Sequence, residues 1–390
     1  MKLRRSDLSI AANYKLLCSS VGATYKSGGR SYGATENVND VETIDRSSLT
    51  GLLCLRKGVL MLRKVTVVFA VVLLALVAAQ ASHNGSQRRV KENASVEKNY
   101  DEDCEQMFSH SMTNLAARLV GQEEKTISRS EVSVLNVEGS PNGGVSIKGW
   151  DKPDILIRAC KMVGAETQEE AQALLNQLTI SVENGKVRAQ SPDKSALGHR
   201  QNWVVQFRIY VPRDLAVEAS VHNGGLALSN LVGKVNGRSL NGGIAISKSG
   251  GSDLIELYAT NGGISLHDVE GKVNAKSANG GITMSGGKGE VRLHSQNGGL
   301  VVRLPEGQWS GETLEAHSDN GGVTLEVPQG FGSGIEAETS AHTRLECNLP
   351  ECSQMQRDSD DSRPKRVQIG GTPIVHVSTR NGGLRIVQSR

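Results

Sequence analysis

The tripeptide Asn-Gly-Gly recurs through this chain, and no other feature constrains the fold as strongly. It occurs eight times in 390 residues, with its Asn at Asn142, Asn223, Asn241, Asn261, Asn279, Asn297, Asn320 and Asn381. From Asn223 to Asn320 the successive spacings are 18, 20, 18, 18 and 23 residues. Self-similarity at a nearly fixed period is the signature of a repetitive architecture, in which each unit buries its apolar face against the next.

Each tripeptide is flanked on both sides by the pattern of a short strand. The third and fifth residues after every Asn are apolar, as in Ile264 and Leu266, and the residue between them is mostly small or polar. Alternate positions upstream are apolar or small. This alternation predicts strands with one buried face. A second Gly follows ten residues after the Asn in four units, at Gly233, Gly251, Gly271 and Gly289.

Two architectures accommodate such units. Asn-Gly is the strongest short hairpin signal, so the chain could form an antiparallel meander. Alternatively, each unit is one coil of a single-stranded parallel β-helix, or β-solenoid, with coils about 4.8 Å apart. The uniform period favours the solenoid, because stacked Asn side chains can then hydrogen-bond from coil to coil. We therefore predict an all-β solenoid in which the eight Asn are structural turn and ladder residues, and in which Gly supplies positive φ without a Cβ penalty.

One short helix is predicted near the N-terminal end of the repeats. In the segment AETQEEAQALLNQLT, Thr167 and Glu170 have the spacing of a capping box. Ala171, Leu174 and Leu175 then begin one apolar face at helical spacing.

The segment before the repeats has the layout of an export signal. From Met61 the chain reads MLRKVTVVFAVVLLALVAAQAS, a positive start, an apolar run and a small-x-small cleavage site. Residues 61–81 are therefore predicted to be a signal peptide, with residues 1–60 a mis-assigned gene start or disordered. The alternative is a cytoplasmic tail followed by a short signal anchor. Residues 82–124 are predicted to be a polar linker and residues 125–390 the solenoid domain.

Four cysteines follow the predicted signal, an even number that permits disulfides in an exported chain. Cys347 and Cys352 are close enough in sequence to form one possible disulfide. Cys104 and Cys160 are the other possible pair, unless Cys160 is a buried free thiol in its apolar run.

The sequence offers little sign of catalytic or cofactor chemistry. A carbohydrate-active β-helix would need clustered carboxylates, yet the acidic residues are scattered, and only Asp268, Glu270 and Glu290 suggest a small patch. Four histidines, His222, His267, His294 and His317, share no common phase, so no metal column is expected. The formal net charge of +3 is close to balance and does not by itself predict a polyanion partner. No basic-aromatic pattern indicates nucleic acid. No cofactor is predicted.

Several segments together resemble the exported bacterial adhesin-like family of β-strand-repeat proteins, whose function is unknown. They are NGGVSIKGWDKPDILIRA, EEAQALLNQL, WVVQFRIYVPRDLAVEASVHNGG, the repeats themselves and TRNGGLRI, which cover roughly residues 125–390 in matching order. The resemblance implies a parallel β-helix, export and no catalytic residues. Residues 341–366 depart from the family's last loop and are predicted to be an exposed insertion.

These observations favour a non-catalytic protein of the periplasm, cell surface or extracellular space. We expect an adhesin or envelope scaffold that binds a surface polymer or protein partner and contacts the membrane only through its signal or anchor. The alternative is a carbohydrate-active β-helix enzyme, such as a polysaccharide lyase or hydrolase.

Overall fold

The computed structural model describes residues 103–108, 116–192, 198, 200–354 and 364–389, all within the compact unit Asn84–Arg390. The predicted signal peptide, residues 1–60 and most of the predicted linker lie outside the described residues. The described part of the chain is all-β, with strands outnumbering helices throughout. No helix in it is long and apolar enough to cross a membrane.

The described residues contain two α-helices, two short 3-10 helices (Arg129–Glu131 and Pro350–Gln354) and twenty-two strands. The α-helices are α1 (Cys104–Met107) and α2 (Gln168–Gln177). The strands are β1 (Ala117–Ser128), β2 (Val134–Glu138), β3 (Val145–Trp150), β4 (Asp154–Ala165), β5 (Thr179–Glu183), β6 (Lys186–Gln190), β7 (Asn202–Pro212), β8 (Ala216–Val221), β9 (Leu226–Ser229), β10 (Val235–Ser239), β11 (Ile244–Ala259), β12 (Ile264–Ser277), β13 (Ile282–Ser285), β14 (Lys288–Ser295), β15 (Leu300–Arg303), β16 (Leu314–Ser318), β17 (Val323–Val327), β18 (Gly334–Thr339), β19 (Leu345–Cys347), β20 (Lys365–Ile369), β21 (Pro373–Thr379) and β22 (Leu384–Gln388).

The repeat units pair in parallel, forming two ladders. The first ladder contains the strands before each Asn, in the spatial order β6, β2, β8, β10, β11, β12, β14, β16, β21 and β18. The second contains the strands after it, in the order β7, β3, β9, β11, β12, β13, β15, β17, β22 and β19. Equivalent residues face each other, as Val273 faces Val291, so the units do not form an antiparallel meander.

The core lies between the inward faces of these units and is almost entirely aliphatic. In the Asn261 unit, Ile264, Leu266, Val273 and Ala275 are at most 2% exposed. Fully burying an aliphatic side chain of this size stabilises a fold by about 1.5–3 kcal/mol. The same positions are buried in unit after unit, which explains why the apolar alternation was legible in the sequence.

Both ends of the ladders depart from sequence order. At the N-terminal end, β2 lies between β6 and β8, and β3 lies between β7 and β9. The outermost strands β6 and β7 therefore come later in the sequence than the strands they cover. At the C-terminal end, β21 lies between β16 and β18, and β22 lies between β17 and β19. The outermost strands β18 and β19 therefore come earlier in the sequence than the strands they cover. Antiparallel strands then cover much of the outermost layers, with β5 on β6, β4 on β7, β1 on β4 and β20 on β18. Covered edges protect a sheet from pairing with other chains.

The helix prediction is confirmed, and two predicted boundaries are corrected. Thr167 Oγ1 accepts a hydrogen bond from the Glu170 backbone N–H, and the Glu170 carboxylate accepts one from Thr167, which completes the capping box of α2. The polar linker does not extend to residue 124, because residues from Ala117 onward form β1 against β4. The insertion at 341–366 is not wholly an exposed loop, because β19 lies within it and pairs with β22.

The predicted role of the turn glycines is wrong in its physical detail. None of the sixteen glycines in the eight tripeptides adopts positive φ; the glycines that do lie elsewhere, such as Gly271 and Gly289. The first Gly of each tripeptide is needed because backbones approach closely there. A Cβ on Gly262 would lie 2.1 Å from the Gly242 carbonyl oxygen. Only glycine leaves room for this contact.

Candidate functional site

The eight Asn side chains form one continuous column along the corner between the ladders. Each Nδ2 donates to the Oδ1 of the spatially preceding Asn at 2.9–3.3 Å, and the seven donor–acceptor pairs are Asn223–Asn142, Asn241–Asn223, Asn261–Asn241, Asn279–Asn261, Asn297–Asn279, Asn320–Asn297 and Asn381–Asn320. Their hydrogen-bonding groups are directed at one another, which makes the column a structural feature of the corner.

A buried column of hydroxyls lies two residues before the Asn positions. Ser277, Ser295 and Ser318 each donate to the carbonyl of the first turn Gly of the preceding unit at 2.9 Å, and Thr379 does so at 2.8 Å. Sequence reasoning recognised these positions only as small. Because buried carbonyl groups need partners, a recurring Ser or Thr beside a glycine turn was the available signal.

Two disulfides occur within the described residues. Cys347 and Cys352 are bonded, with a Cα–Cα distance of 5.9 Å, and close a short loop beside β19. Cys104 and Cys160 are bonded at 5.3 Å and tie α1 to β4. Both therefore lie at the ends of the ladders.

The outward face of the first ladder carries a row that we name the outer stripe: Arg238, Tyr258, Lys276, His294 and His317. These residues occupy the third position before the Asn in five successive units and are paired in register. Arg238 and Lys276 are exposed, and Tyr258 retains 45% of its accessible surface. The outer stripe is thus a linear array of cationic and aromatic groups on a flat sheet.

The stripe ends in a hydrogen-bonded cluster around one carboxylate. His294 Nε2 lies 2.9 Å from Asp319 Oδ2, and His317 Nε2 lies 3.3 Å from Asp319 Oδ1. His317 Nδ1 lies 2.8 Å from Ser378 Oγ, and the Arg380 guanidinium is 3.2 Å from Asp319 Oδ1. The hydrogen bond from His294 is the main cause of a lowered Asp319 pKa, aided by His317 and Arg380 and opposed by desolvation.

The four histidines share no common phase, although His294 and His317 both lie three residues before an Asn in the sequence. His294 and His317 face each other across β14 and β16, with their ring centroids 5.4 Å apart. His267 lies in β12 of the second ladder, and His222 lies next to Asn223. No group of three or more His, Cys, Asp or Glu within the described ranges is arranged to hold a metal ion.

Ser378, His317 and Asp319 have the residue types of a hydrolytic triad, but their setting differs from one. The nucleophile of such a triad works beside free backbone N–H groups that stabilise an oxyanion. Here β21 is paired in parallel with β16 on one side and β18 on the other, which engages its backbone N–H groups. The cluster therefore lacks the donors that acyl transfer requires from that strand.

Each carboxylate of the predicted acidic patch contacts a nitrogen-bearing side chain. The three pairs are Asp268–His267 at 3.4 Å, Glu270–Lys288 at 3.1 Å and Glu290–Arg292 at 2.5 Å. The structure does not bring these carboxylates together into one site.

A long open groove of about 960 Å³ crosses the outward face of the second ladder. It extends from Val204 and Gln206 of β7 towards Arg303 of β15. Turn glycines and a row of small residues line it, including Ser146, Ala227, Ala245, Ser265 and Thr283. No carboxylate is among the lining residues.

Comparisons with known proteins assign the chain to no family. No family model and no curated protein matches the chain, so the adhesin-like family stays a prediction. A solved structure of a candidate cell adhesion protein from Clostridium sporogenes is 11% identical, covering 70% of this chain and 100% of its own, with a TM-score of 0.23. A candidate adhesin from Bacteroides fragilis is 13% identical, covering 69% and 97%, with a TM-score of 0.25. Both TM-scores are too low to establish a shared fold.

Proposed function

We propose that this protein is an exported β-solenoid that acts as a non-catalytic, adhesin-like scaffold for a surface polymer. The two in-register parallel ladders are then the walls of the solenoid, and each Asn-Gly-Gly unit is one coil. The observation that carries the proposal is the continuous Asn column, because it fixes every coil relative to the next. Outward side chains are thereby held at a regular spacing of about 4.8 Å.

A rigid array of this kind suits the binding of a repeating ligand. Individually weak contacts add when they are linked, provided that the geometry allows all of them to form at once. A preorganised surface also avoids the entropic cost of ordering its side chains on binding. A polymer with a repeat near the coil spacing would meet both conditions.

Export is supported by the signal-like segment at 61–81 and by the two disulfides. Disulfides persist in oxidising compartments and are rare in the cytosol. The carbohydrate-active alternative has less support, because a glycosidase needs two facing carboxylates and the residues lining the large groove supply none.

The test is a binding screen of the purified chain against glycans and cell-envelope polymers, with product analysis in the same reactions. We expect saturable binding to at least one polymer without change in its chain length. A shortened polymer would support the enzymatic alternative. Absence of binding to every polymer would contradict the scaffold proposal.

A further inference from the structure

The outer stripe contains two cations that form no ion pair with a carboxylate within the described residues. Arg238 contacts Asn236 through Nε at 3.3 Å, and Lys276 has no ion pair there. Tyr258 lies between them in register, facing Arg238 on one side and Lys276 on the other. One exposed aromatic ring thus separates two exposed cations.

One border of the stripe leaves room for a negatively charged ligand. On the side nearer the Asn column, the residues that flank the first four members of the stripe are the uncharged Leu240, Thr260, Ala278 and Gln296, and the carboxylate Asp319 follows only beside His317. On the other side, the carboxylates Glu218 and Glu256 lie on either side of Asn236, and Glu218 lines the same pocket as Arg238. A ligand that lies over the stripe and its uncharged border therefore meets Arg238 and Lys276 without crossing the row that contains Glu218 and Glu256.

The spacing of Arg238, Tyr258 and Lys276 limits the class of ligand that fits the stripe. Arg238 and Lys276 are two units apart, about 10 Å at the strand spacing of a β-sheet. One sugar ring in an extended polysaccharide spans close to one unit, and alternate rings of a two-fold chain present their carboxylates on the same side. The carboxylates of two such rings would meet Arg238 and Lys276, while the intervening ring lies over Tyr258.

We propose that the outer stripe binds an acidic polysaccharide, a polyuronate laid along the solenoid axis across the strands. This inference rests on the proposed scaffold function and specifies its ligand class. Arg238 and Lys276 pair with carboxylates of the polymer, and Tyr258 packs against the apolar face of a sugar ring. Gln296 and Thr260 form hydrogen bonds with sugar hydroxyl groups.

Nucleic acid fits the stripe less well. Duplex DNA carries one negative charge per about 1.7 Å of its axis, several times denser than cations separated by two units. Binding to single strands uses successive aromatic side chains as stacking platforms. In this row Lys276 separates Tyr258 from the two imidazoles, and His294 and His317 are T-shaped to each other and hydrogen-bonded to Asp319.

The experiment measures binding of the purified chain to polygalacturonate, with neutral dextran and single-stranded DNA as comparison probes. We expect polygalacturonate to bind and its binding to weaken as salt screens the charges. Dextran and single-stranded DNA should compete poorly with it. Arg238→Gln and Lys276→Gln should each weaken binding about fivefold, and Tyr258→Ala roughly tenfold. Lys234→Gln removes the same charge from an exposed position outside the stripe and should leave binding unchanged.

Each other outcome has a defined meaning. Full binding by all three stripe variants, with unfolding midpoints equal to the unaltered chain, would overturn the assignment. Loss on Arg303→Gln instead would place the polymer in the groove of the second ladder and overturn it as well. Binding of dextran or DNA but not of polygalacturonate would reject the proposed ligand class and leave the proposed binding function in place. If the unaltered chain bound no polymer in the wider screen, that result would count against the scaffold function itself.

Discussion

The central units and the two ends of this molecule are assembled by different rules. From Asn223 to Asn320, each unit stacks on the unit before it in the sequence. At each end, the outermost tripeptide unit instead lies inside the stack, covered by strands from a segment without the tripeptide. Local repetition is thus sufficient to build the centre. The ends require long-range pairing that encloses the terminal units on both sides.

The covalent and polar supports divide in the same way. Both disulfides lie at the ends, whereas the centre is held by the Asn column, the buried hydroxyls and close contacts between glycines. The open end of a repeat stack exposes its core and needs a cap. Cross-links at the ends are consistent with that need.

The largest expected effect comes from removing the N-terminal disulfide. Cys104→Ala with Cys160→Ala should lower the free energy of unfolding by about 4 kcal/mol, because the bond closes a loop with a sequence separation of 56. Cys347→Ala with Cys352→Ala should cost about 2 kcal/mol, since that separation is only 5. Urea unfolding of both double variants measures the difference. Equal losses would show that the two ends are not stabilised through loop length.

A methyl group at a central turn tests the close backbone contacts. Gly262→Ala should cost about 3 kcal/mol, because the new Cβ would lie 2.1 Å from the Gly242 oxygen and neither backbone can move independently. Gly225→Ala is the matched control, since its nearest atom, the Gly243 oxygen, is 3.9 Å away. Chemical denaturation should separate the two variants clearly. Similar stabilities would mean that the stack tolerates local expansion.

The same contrast explains what the sequence could reveal. The repeat period and the apolar alternation determine which residues of the central units are buried. The central strands and the Asn positions, such as Asn261, could therefore be predicted from the sequence pattern alone. The role of Gly262 was misjudged, because steric contact with the neighbouring unit leaves no local signal that differs from a turn requirement. The sequence did not predict that β2 pairs with β6 as well as β8, or that β21 pairs with β18 as well as β16. The apolar alternation of a strand indicates its buried face but not which distant strand pairs with its outer edge.

Removing one Asn tests the column at its centre and at its end. Asn261 both donates to Asn241 and accepts from Asn279, whereas Asn381 donates to Asn320 and accepts no hydrogen bond from the described residues. At about 1 kcal/mol per hydrogen bond, Asn261→Ala should cost about 2 kcal/mol and Asn381→Ala about half as much. Thermal unfolding of the two variants gives the comparison. Polymer binding per folded molecule should be unchanged in both, and its loss in a stable Asn261 variant would contradict a purely structural role.

The smallest effect concerns the C-terminal end and its dependence on pH. The pKa of Asp319 is lowered in the folded chain, chiefly by the hydrogen bond from His294, so the unfolded chain binds a proton at higher pH than the folded chain does. The stabilisation is therefore fully present above the ordinary value of 3.8 and is lost as the pH falls through the lower folded value. Asp319→Asn should flatten this part of the stability profile, whereas Asp253→Asn, at an exposed position without an ion pair among the described residues, should not. Unfolding midpoints measured from pH 6 downwards test this, and an unchanged acid slope in Asp319→Asn would show that the cluster does not couple to folding. Because the ion pairs are close to solvent, high salt should diminish the difference.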